Sequence, residues 1–540
     1  MPAHATPPLH RRRLLALLLS ACAFGAPVHA APADTARTAA WFDAHKTRTP
    51  LVRQFLQRMP KGADLHSHLS GAVYAESYLG WAAQADLCVD TAKKAILPNA
   101  CAAGDGPGPA AAQVPASQLG SDAAAAMVDR MSMRNLAASG RSGHDQFFDA
   151  FSVFGPVTDL PGKSAAMLAE LTNRAAAQNI LHLELMNTVQ GGAVRRLGGQ
   201  LAWADEPDLA KRHRWLLDHG LPALVEAGQR NVDTIERDHR QLQGCDTPAA
   251  KAGCGVSVRW LQQTTRTNPP EQVFAQLAYA FELAKADRRV VGLNLVAPED
   301  HPVALRDYRL QMEMIGFLSR LSPDVKIALH AGELVLGLVP PEHLHDHIRD
   351  AVLVAGAHRI GHAVDIGHEN DAFGTLQAMK KRGVAAEICL TSNDGILGVR
   401  GQDHPLPDYL AAGVPVVLAS DDEGISRIDL SNEYVRAATT YGLGYRQLKQ
   451  FSRNSLEHSF LPGESLWQDA AQARPVAACR RDVPGAVRTS AACAAWLGGS
   501  ERAQQQWRLE AAFEAFEQLP PWQAAGRAPE PPPRRRFRGT

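Results

Sequence analysis

The sequence predicts an α/β fold: a (β/α)8 TIM barrel with insertions after the first and second strands and a helical C-terminal region. Two observations lead there. Strand-like apolar runs alternate with helix-like stretches, and several of the runs end in histidine or aspartate. The runs are Ala63–Leu69, Ile180–Met186, Val256–Gln262, Val290–Val296, Lys326–His330, Arg359–Val364, Ala385–Leu390 and Pro415–Ala419. Near-continuous apolar runs are what parallel strands covered on both faces require. Between them, Glu271–Ala286 and Ala372–Arg382 carry apolar residues at helical spacing. Eight alternating β and α units suggest a closed barrel. An open, doubly wound sheet is the other arrangement of the same units.

The uneven spacing of the runs divides the chain. Residues 31–59 read as an N-terminal helical segment and residues 60–520 as the barrel. Insertions are expected at about 86–143 and 188–255, as elaborations over the barrel mouth. The first includes a Gly/Ala/Pro-rich stretch from Leu97 to Ala126, and the second ends in a loop between Cys245 and Cys254. The tail 521–540, rich in Pro and Arg, reads as disordered.

Lysine plus arginine and aspartate plus glutamate each number 56, so the formal charge is zero. That balance gives no electrostatic reason to expect nucleic acid or an anionic membrane as partner, and a small neutral substrate fits better. Residues 1–30 read as a signal peptide. Arg11, Arg12 and Arg13 precede an apolar stretch from Leu14 to about Ala26, and Val28-His29-Ala30 offers a small-residue cleavage site. The apolar stretch is too short to span a bilayer. Export to the periplasm or the exterior is therefore expected. Leu19-Ser20-Ala21-Cys22 also reads as a lipoprotein cleavage box, which would leave a lipid anchor on Cys22. The cysteines agree with export: Cys88 and Cys101, Cys245 and Cys254, and Cys479 and Cys493 are near neighbours that read as three local disulfides. Cys389, inside an apolar run, reads as a structural thiol. No Cys-x-x-Cys occurs, which argues against a cysteine zinc site. The composition is compatible with an oligomer.

His66 and His68 lie two residues apart near the end of the first run. Strand period puts both on one face, where two imidazoles can share a metal. The fifth run ends in His330-Ala331-Gly332-Glu333, the sixth in Gly361-His362 and the eighth in Ser420-Asp421-Asp422. A single polar residue at a strand end is usually a turn residue. Several strand ends that agree point instead to a metal hydrolase, because the strand ends of such a barrel converge on one mouth.

The motifs MPKGADLHSHLSG, IALHAGE, RIGHAVD, EICLTSN and VVLASDD, in that order and over residues 55–460, resemble the adenosine deaminase superfamily of metal-dependent hydrolases. The MPKGA lead-in, the signal peptide and the cysteine-bearing first insertion most resemble its secreted, growth-factor-related branch. The resemblance implies one zinc ion per chain, held by His66, His68, His330 and Asp421. It implies that His362 orients a water and helps take its proton, and that Glu333 protonates the purine ring at N1 as the water attacks C6. Asp422 would bond N7. The activity implied is hydrolytic deamination of adenosine or 2′-deoxyadenosine to the inosine product, with release of ammonia; the partner is a small purine nucleoside.

The chain departs from the family pattern at the substrate end. Ser70 stands where many members carry an acidic residue that contacts the ribose, Ala297 where relatives often have glycine, Asn294 where aspartate is frequent, and Glu423 where many have proline. Deamination of free adenine or of a modified adenosine therefore stays open, as does a secreted binding or signalling protein that kept the barrel. His343, His345 and His347 do not share a helix face and read as a solvated segment. Trp260 reads as core, with a substrate-facing role as the minor alternative. Asn454-Ser455 and Ser459-Phe460 read as packing.

Overall fold

The computed structural model of the protein describes residues 32–101 and 112–520. Eight parallel strands pair in chain order: β1 (Gly62–His68), β2 (Ile180–Asn187), β3 (Ser257–Thr265), β4 (Val290–Val296), β5 (Lys326–Ala331), β6 (Arg359–His362), β7 (Ala385–Ile388) and β8 (Val416–Leu418). A parallel bridge between Ser67 and Asp421 brings the first strand to the last. There Asp421 N donates to His66 O at 2.9 Å, and His68 N donates to Asp421 O at 3.2 Å. The sheet is thus a closed (β/α)8 barrel, and each of the eight apolar runs in the sequence holds one of its strands. Every residue of β1, β6, β7 and β8 is buried. Core and helix layer together hide both faces of these strands, which is why their sequences do not alternate.

Helices Pro270–Ala286 and Pro302–Leu321 cover the barrel wall, as their apolar spacing requires. The second insertion joins this outer wall instead of the mouth. Its helix Leu221–Gln243 packs on helix Pro270–Ala286, and Gly228 gives room to the Tyr279 hydroxyl, which would stand 2.2 Å from a Cβ there. The first insertion does reach the mouth. It carries a three-stranded antiparallel sheet (Cys88–Asp90, Ala95–Ile96, Gln113–Pro115) and helix Gly143–Thr158. The start of that helix crosses the strand ends: a Cβ on Gly143 would lie 1.8 Å from Gly395 O beyond β7, and His144 Nε2 lies 3.0 Å from Asp300 Oδ1 beyond β4.

Helices Pro32–His45, Thr49–Arg58, Tyr445–Glu457 and Glu501–Gln518 close the opposite end. Phe55 is their hub, with ring centroids 5.1 Å from Phe42 and 5.0 Å from Phe516. Ser455 and Phe460 do more than pack: Ser455 Oγ accepts from Ala63 N at 2.7 Å, and Phe460 N donates to Glu184 Oε1 at 2.5 Å, tying this end to β1 and β2. The three expected disulfides are present, Cys88–Cys101, Cys245–Cys254 and Cys479–Cys493. Cys389 is a buried thiol, pushed well above its usual range by burial. The signal segment with Cys22, part of the Leu97–Ala126 stretch and the tail 521–540 lie outside the described residues. Among those described, no helix is long and apolar enough to cross a membrane.

Candidate metal and catalytic site

Inward-facing side chains of β1 meet those of β5 and β8 at the mouth. His66 Nε2 lies 3.1 Å from His330 Nε2, and His68 Nε2 lies 3.2 Å from the same atom. Asp421 Oδ1 completes the group, 3.5 Å from His66 Nε2 and 3.3 Å from His68 Nε2. Glycines facing these side chains make this closeness possible. Gly361 pairs with His330 on the neighbouring strand, and a Cβ there would stand 2.4 Å from the His66 ring. Gly71 serves Asp422 the same way, since a Cβ would fall 1.4 Å from its Oδ1.

The outward nitrogens determine what the inward ones can do. His66 Nδ1 donates to Glu387 Oε2 at 2.7 Å. His330 Nδ1 donates to Asn294 Oδ1 at 2.8 Å, and that oxygen also accepts from His330 N, which fixes the amide's orientation. With the proton on Nδ1, both Nε2 atoms present lone pairs. Gln263, paired with Asn294 across β3 and β4, sets its amide 2.7 Å from His68 Nδ1. Asp421 Oδ2 accepts from Ser392 Oγ at 2.8 Å, while the buried Oδ1 has no hydrogen-bond partner. Lone pairs and an anionic oxygen that converge at hydrogen-bond distance repel one another unless a cation sits among them. Three imidazoles and one carboxylate are a donor set that suits zinc, and the outer hydrogen bonds are those that orient metal-bound histidines. The residues present therefore fit a metal. His362 Nε2 is also buried without a partner, and its ring centroid lies 5.0 Å from that of His66. His362 belongs to the same cluster of candidate ligands as His66, His330 and Asp421.

Glu333 and Asp422 stand beside this group. Burial, and then the charge of Asp421, push both carboxyls well above their usual range. Asp422 Oδ1 is buried without a partner. Glu333 Oε1 lies 3.6 Å from His362 Nδ1, to which the Asn393 amide also comes within 3.0 Å. Burial pulls His362 down to about 3. Burial thus favours the neutral forms of both carboxyls and of the imidazole beside the donor set, which suits proton transfer.

All four expected ligands converge, with Glu333, His362 and Asp422 around them. The residues expected at the substrate end are less gathered. Ser70 is half-buried, and its carbonyl accepts from Tyr78 Oη at 2.6 Å. Ala297 follows β4 with φ 83°, a left-handed conformation that glycine adopts freely and alanine does not. The resemblance led to glycine at this position, and the φ of Ala297 is of the kind glycine adopts. His347 is not solvated. It is buried, its Nδ1 lies 2.5 Å from Glu299 Oε1, and its ring stacks on Tyr308 at 3.6 Å. Trp260 faces the outer layer, where its Nε1 donates to Glu236 Oε1 at 3.2 Å. The sequence reading missed Glu387, Gln263, Ser392, Asn393 and Glu299. Glu387, Ser392 and Asn393 lay within the motif EICLTSN, while Gln263 and Glu299 left no signal.

An adenosine deaminase family model matches residues 234–467, a stretch that holds His330, Glu333, His362, Asp421 and Asp422. An adenosine deaminase of Clostridium perfringens is 29% identical over 185 residues, 34% of this chain and 52% of that protein. The chain thus spans about half the length of the adenosine deaminases it matches first. An N6-methyl-AMP deaminase of Danio rerio is 25% identical over 358 residues, 63% of this chain and 86% of that protein. The solved apo structure of the N6-methyl-AMP deaminase from Arabidopsis thaliana aligns over 76% of this chain and 94% of its own, with 20% identity and a TM-score of 0.49. Over residues 234–467 the chain is thus similar to the adenosine deaminase family, and its sequence relatives are deaminases.

Proposed function

We propose that the protein is a zinc-dependent hydrolase, one ion per chain, that converts adenosine or 2′-deoxyadenosine to the inosine product and ammonia. One observation carries this reading: the three imidazole nitrogens and Asp421 Oδ1 converge beside two buried carboxyls held neutral, Glu333 and Asp422. When bound, the ion supplies an acidified water at neutral pH. The chain's own residues do the rest. Glu333 gives its proton to ring N1, which makes C6 electrophilic. His362, neutral through burial, orients the water, takes a proton from it and passes that proton to the C6 amino group, which leaves as ammonia. Asp422, protonated, donates to N7. The first insertion closes the mouth above them and excludes water.

A second reading takes a modified adenosine or free adenine as substrate. It is favoured by the N6-methyl-AMP deaminase, which aligns over 86% of its length, and by Ser70, which brings no negative charge to the sugar end. Export to the periplasm or exterior belongs to the proposal, supported by three disulfides, which persist in oxidising compartments. A lipid on Cys22 is its variant form, and kinship with the secreted, growth-factor-related branch rests on the same features.

The test is ammonia release by zinc-loaded protein (residues 31–540) from adenosine, 2′-deoxyadenosine, adenine, AMP and N6-methyl-AMP. Turnover of the nucleosides is expected. Turnover of adenine or the nucleotides alone would move the chain to the second reading, and no turnover at all would leave a binding or signalling protein.

A further inference from the structure

Glu299 lies just beyond β4, two residues after the left-handed Ala297. Its carboxylate is buried, and beside its ion pairs it accepts from two successive backbone amides. Oε1 accepts from Gly332 N at 3.1 Å and Oε2 from Glu333 N at 3.0 Å. His347 Nδ1 lies 2.5 Å from Oε1, and Arg266 Nη1 lies 3.6 Å from Oε2. These groups hold the carboxyl down to about 2 against the opposing effect of burial. Glu299 is therefore an anion on the backbone of the turn that carries the proton donor.

That turn has little else to fix it from this side. Gly332 has φ 71°, and a Cβ on it would stand 2.3 Å from Asp365 Oδ1 and 2.7 Å from Ile348. Its carbonyl accepts from Val364 N at 2.9 Å and Asp365 N at 3.1 Å. The segment after β6 thus grips the carbonyl side of the turn, and Glu299 grips the two N–H groups. The Glu333 side chain itself makes one ion-pair approach, 3.6 Å to His362 Nδ1. Its position depends on its backbone.

We infer that Glu299 is a positioning residue for Glu333: a buried carboxylate that clamps two successive amides so that the acid reaches the substrate ring. The inference rests on the deaminase reading for its chemistry, but its geometry stands apart from it. Asp300, the next residue, holds His144 of the first insertion. The same short segment therefore touches both the acid's turn and the cover over the mouth.

E299Q tests this, in the full chain loaded with zinc. Glutamine keeps the volume, but either orientation sets an NH2 against one of the two N–H groups. A crystal structure of the variant is expected to show the Glu333 carboxylate displaced by about 1 Å or more, with the four metal-binding side chains in place. On the substrate that wild-type protein turns over, kcat is expected to fall about 10–100-fold with KM within about threefold and zinc content unchanged, because misplacement on this scale costs the chemical step. Glu333 unmoved, or loss of zinc together with a rise in KM, would overturn the inference. If E299Q does not fold, E299D takes its place: it keeps the charge beside Arg266 but falls short of the turn. Should wild-type protein deaminate nothing, the parent reading fails, and the position of Glu333 in the variant still decides the role of Glu299.

Discussion

Glu333 carries the largest burden of the proposed chemistry in a single side chain. Glu333→Gln keeps its shape and removes the proton. The variant is expected to bind zinc at wild-type stoichiometry and to lose about 10²–10⁴ in kcat, the range for removing a general acid. Elemental analysis and ammonia release check the two halves separately, and a fully active variant would sink the assignment. The proposed ligands and Glu333 were legible in the sequence because several apolar runs end in such residues together and the motifs around them resemble one family. Their supports were not. Gln263 on β3 reaches His68 on β1 past the intervening β2, and Glu299 beyond β4 reaches the Glu333 backbone beyond the neighbouring β5. Such partnerships depend on barrel register, and a single strand carries no record of it. Ala297 was legible as a departure from the family pattern, but that it keeps a glycine-like φ of 83° required the structure.

Helix Leu390–Leu397 shows what decides an element and what it costs. The run Ala385–Leu390 reads as one strand, yet β7 stops at Ile388 and a helix starts at Leu390. A short apolar stretch has no periodicity to mark that change. The helix presents Ser392 to Asp421 and Asn393 to His362, so its placement matters to the site. Glu433 secures its first turn, accepting from Thr391 N at 3.0 Å and from Thr391 Oγ1. Burial raises the Glu433 carboxyl to about 7, while in the unfolded chain it titrates near its ordinary value of 4.5. Between those values the folded state binds the extra proton, so this group's contribution to stability falls as pH rises from about 4.5 to 7. Linkage puts the full effect on the order of 3 kcal/mol. Glu433→Gln can accept from Thr391 N and donate to Thr391 Oγ1 without titrating. Its denaturation midpoint is expected to vary less than wild type across pH 5–7 and to be higher at pH 7. Parallel curves for the two proteins would show that Glu433 is not the group responsible.

At the scale of the molecule, the barrel's closure and its chemistry share one place. Strands β2 to β8 follow one another by continuous pairing, whereas β1 and β8 meet through the single bridge Ser67–Asp421. That seam carries His66 and His68 on one side and Asp421 on the other, with His330 reaching across from β5. Eight strands were legible from the chain, but the seam was not, because it joins residues 354 positions apart (Ser67 and Asp421) through backbone atoms that side-chain pattern does not reveal. On the proposed reading, a cation held by these four side chains would tie the first strand to the last as well as serve the reaction. Without it, the seam is held by the Ser67–Asp421 bridge and its two backbone hydrogen bonds. Removing the metal is expected to act locally before it acts globally. Amide exchange at His68 and Asp421, whose N–H groups bond across the seam, is expected to quicken more than at Leu261 and Leu293 in the continuous β3–β4 pairing. The whole fold is expected to lose about 4 kcal/mol if the ion is present at a thousand times its dissociation constant, since a ligand of the native state stabilises it by that mass-action term. Hydrogen exchange with and without a chelator, followed by restoring zinc, separates the two effects. Uniform quickening across all eight strands would mean that the metal holds the fold as a whole, and no quickening at the seam would mean that the barrel closes without it.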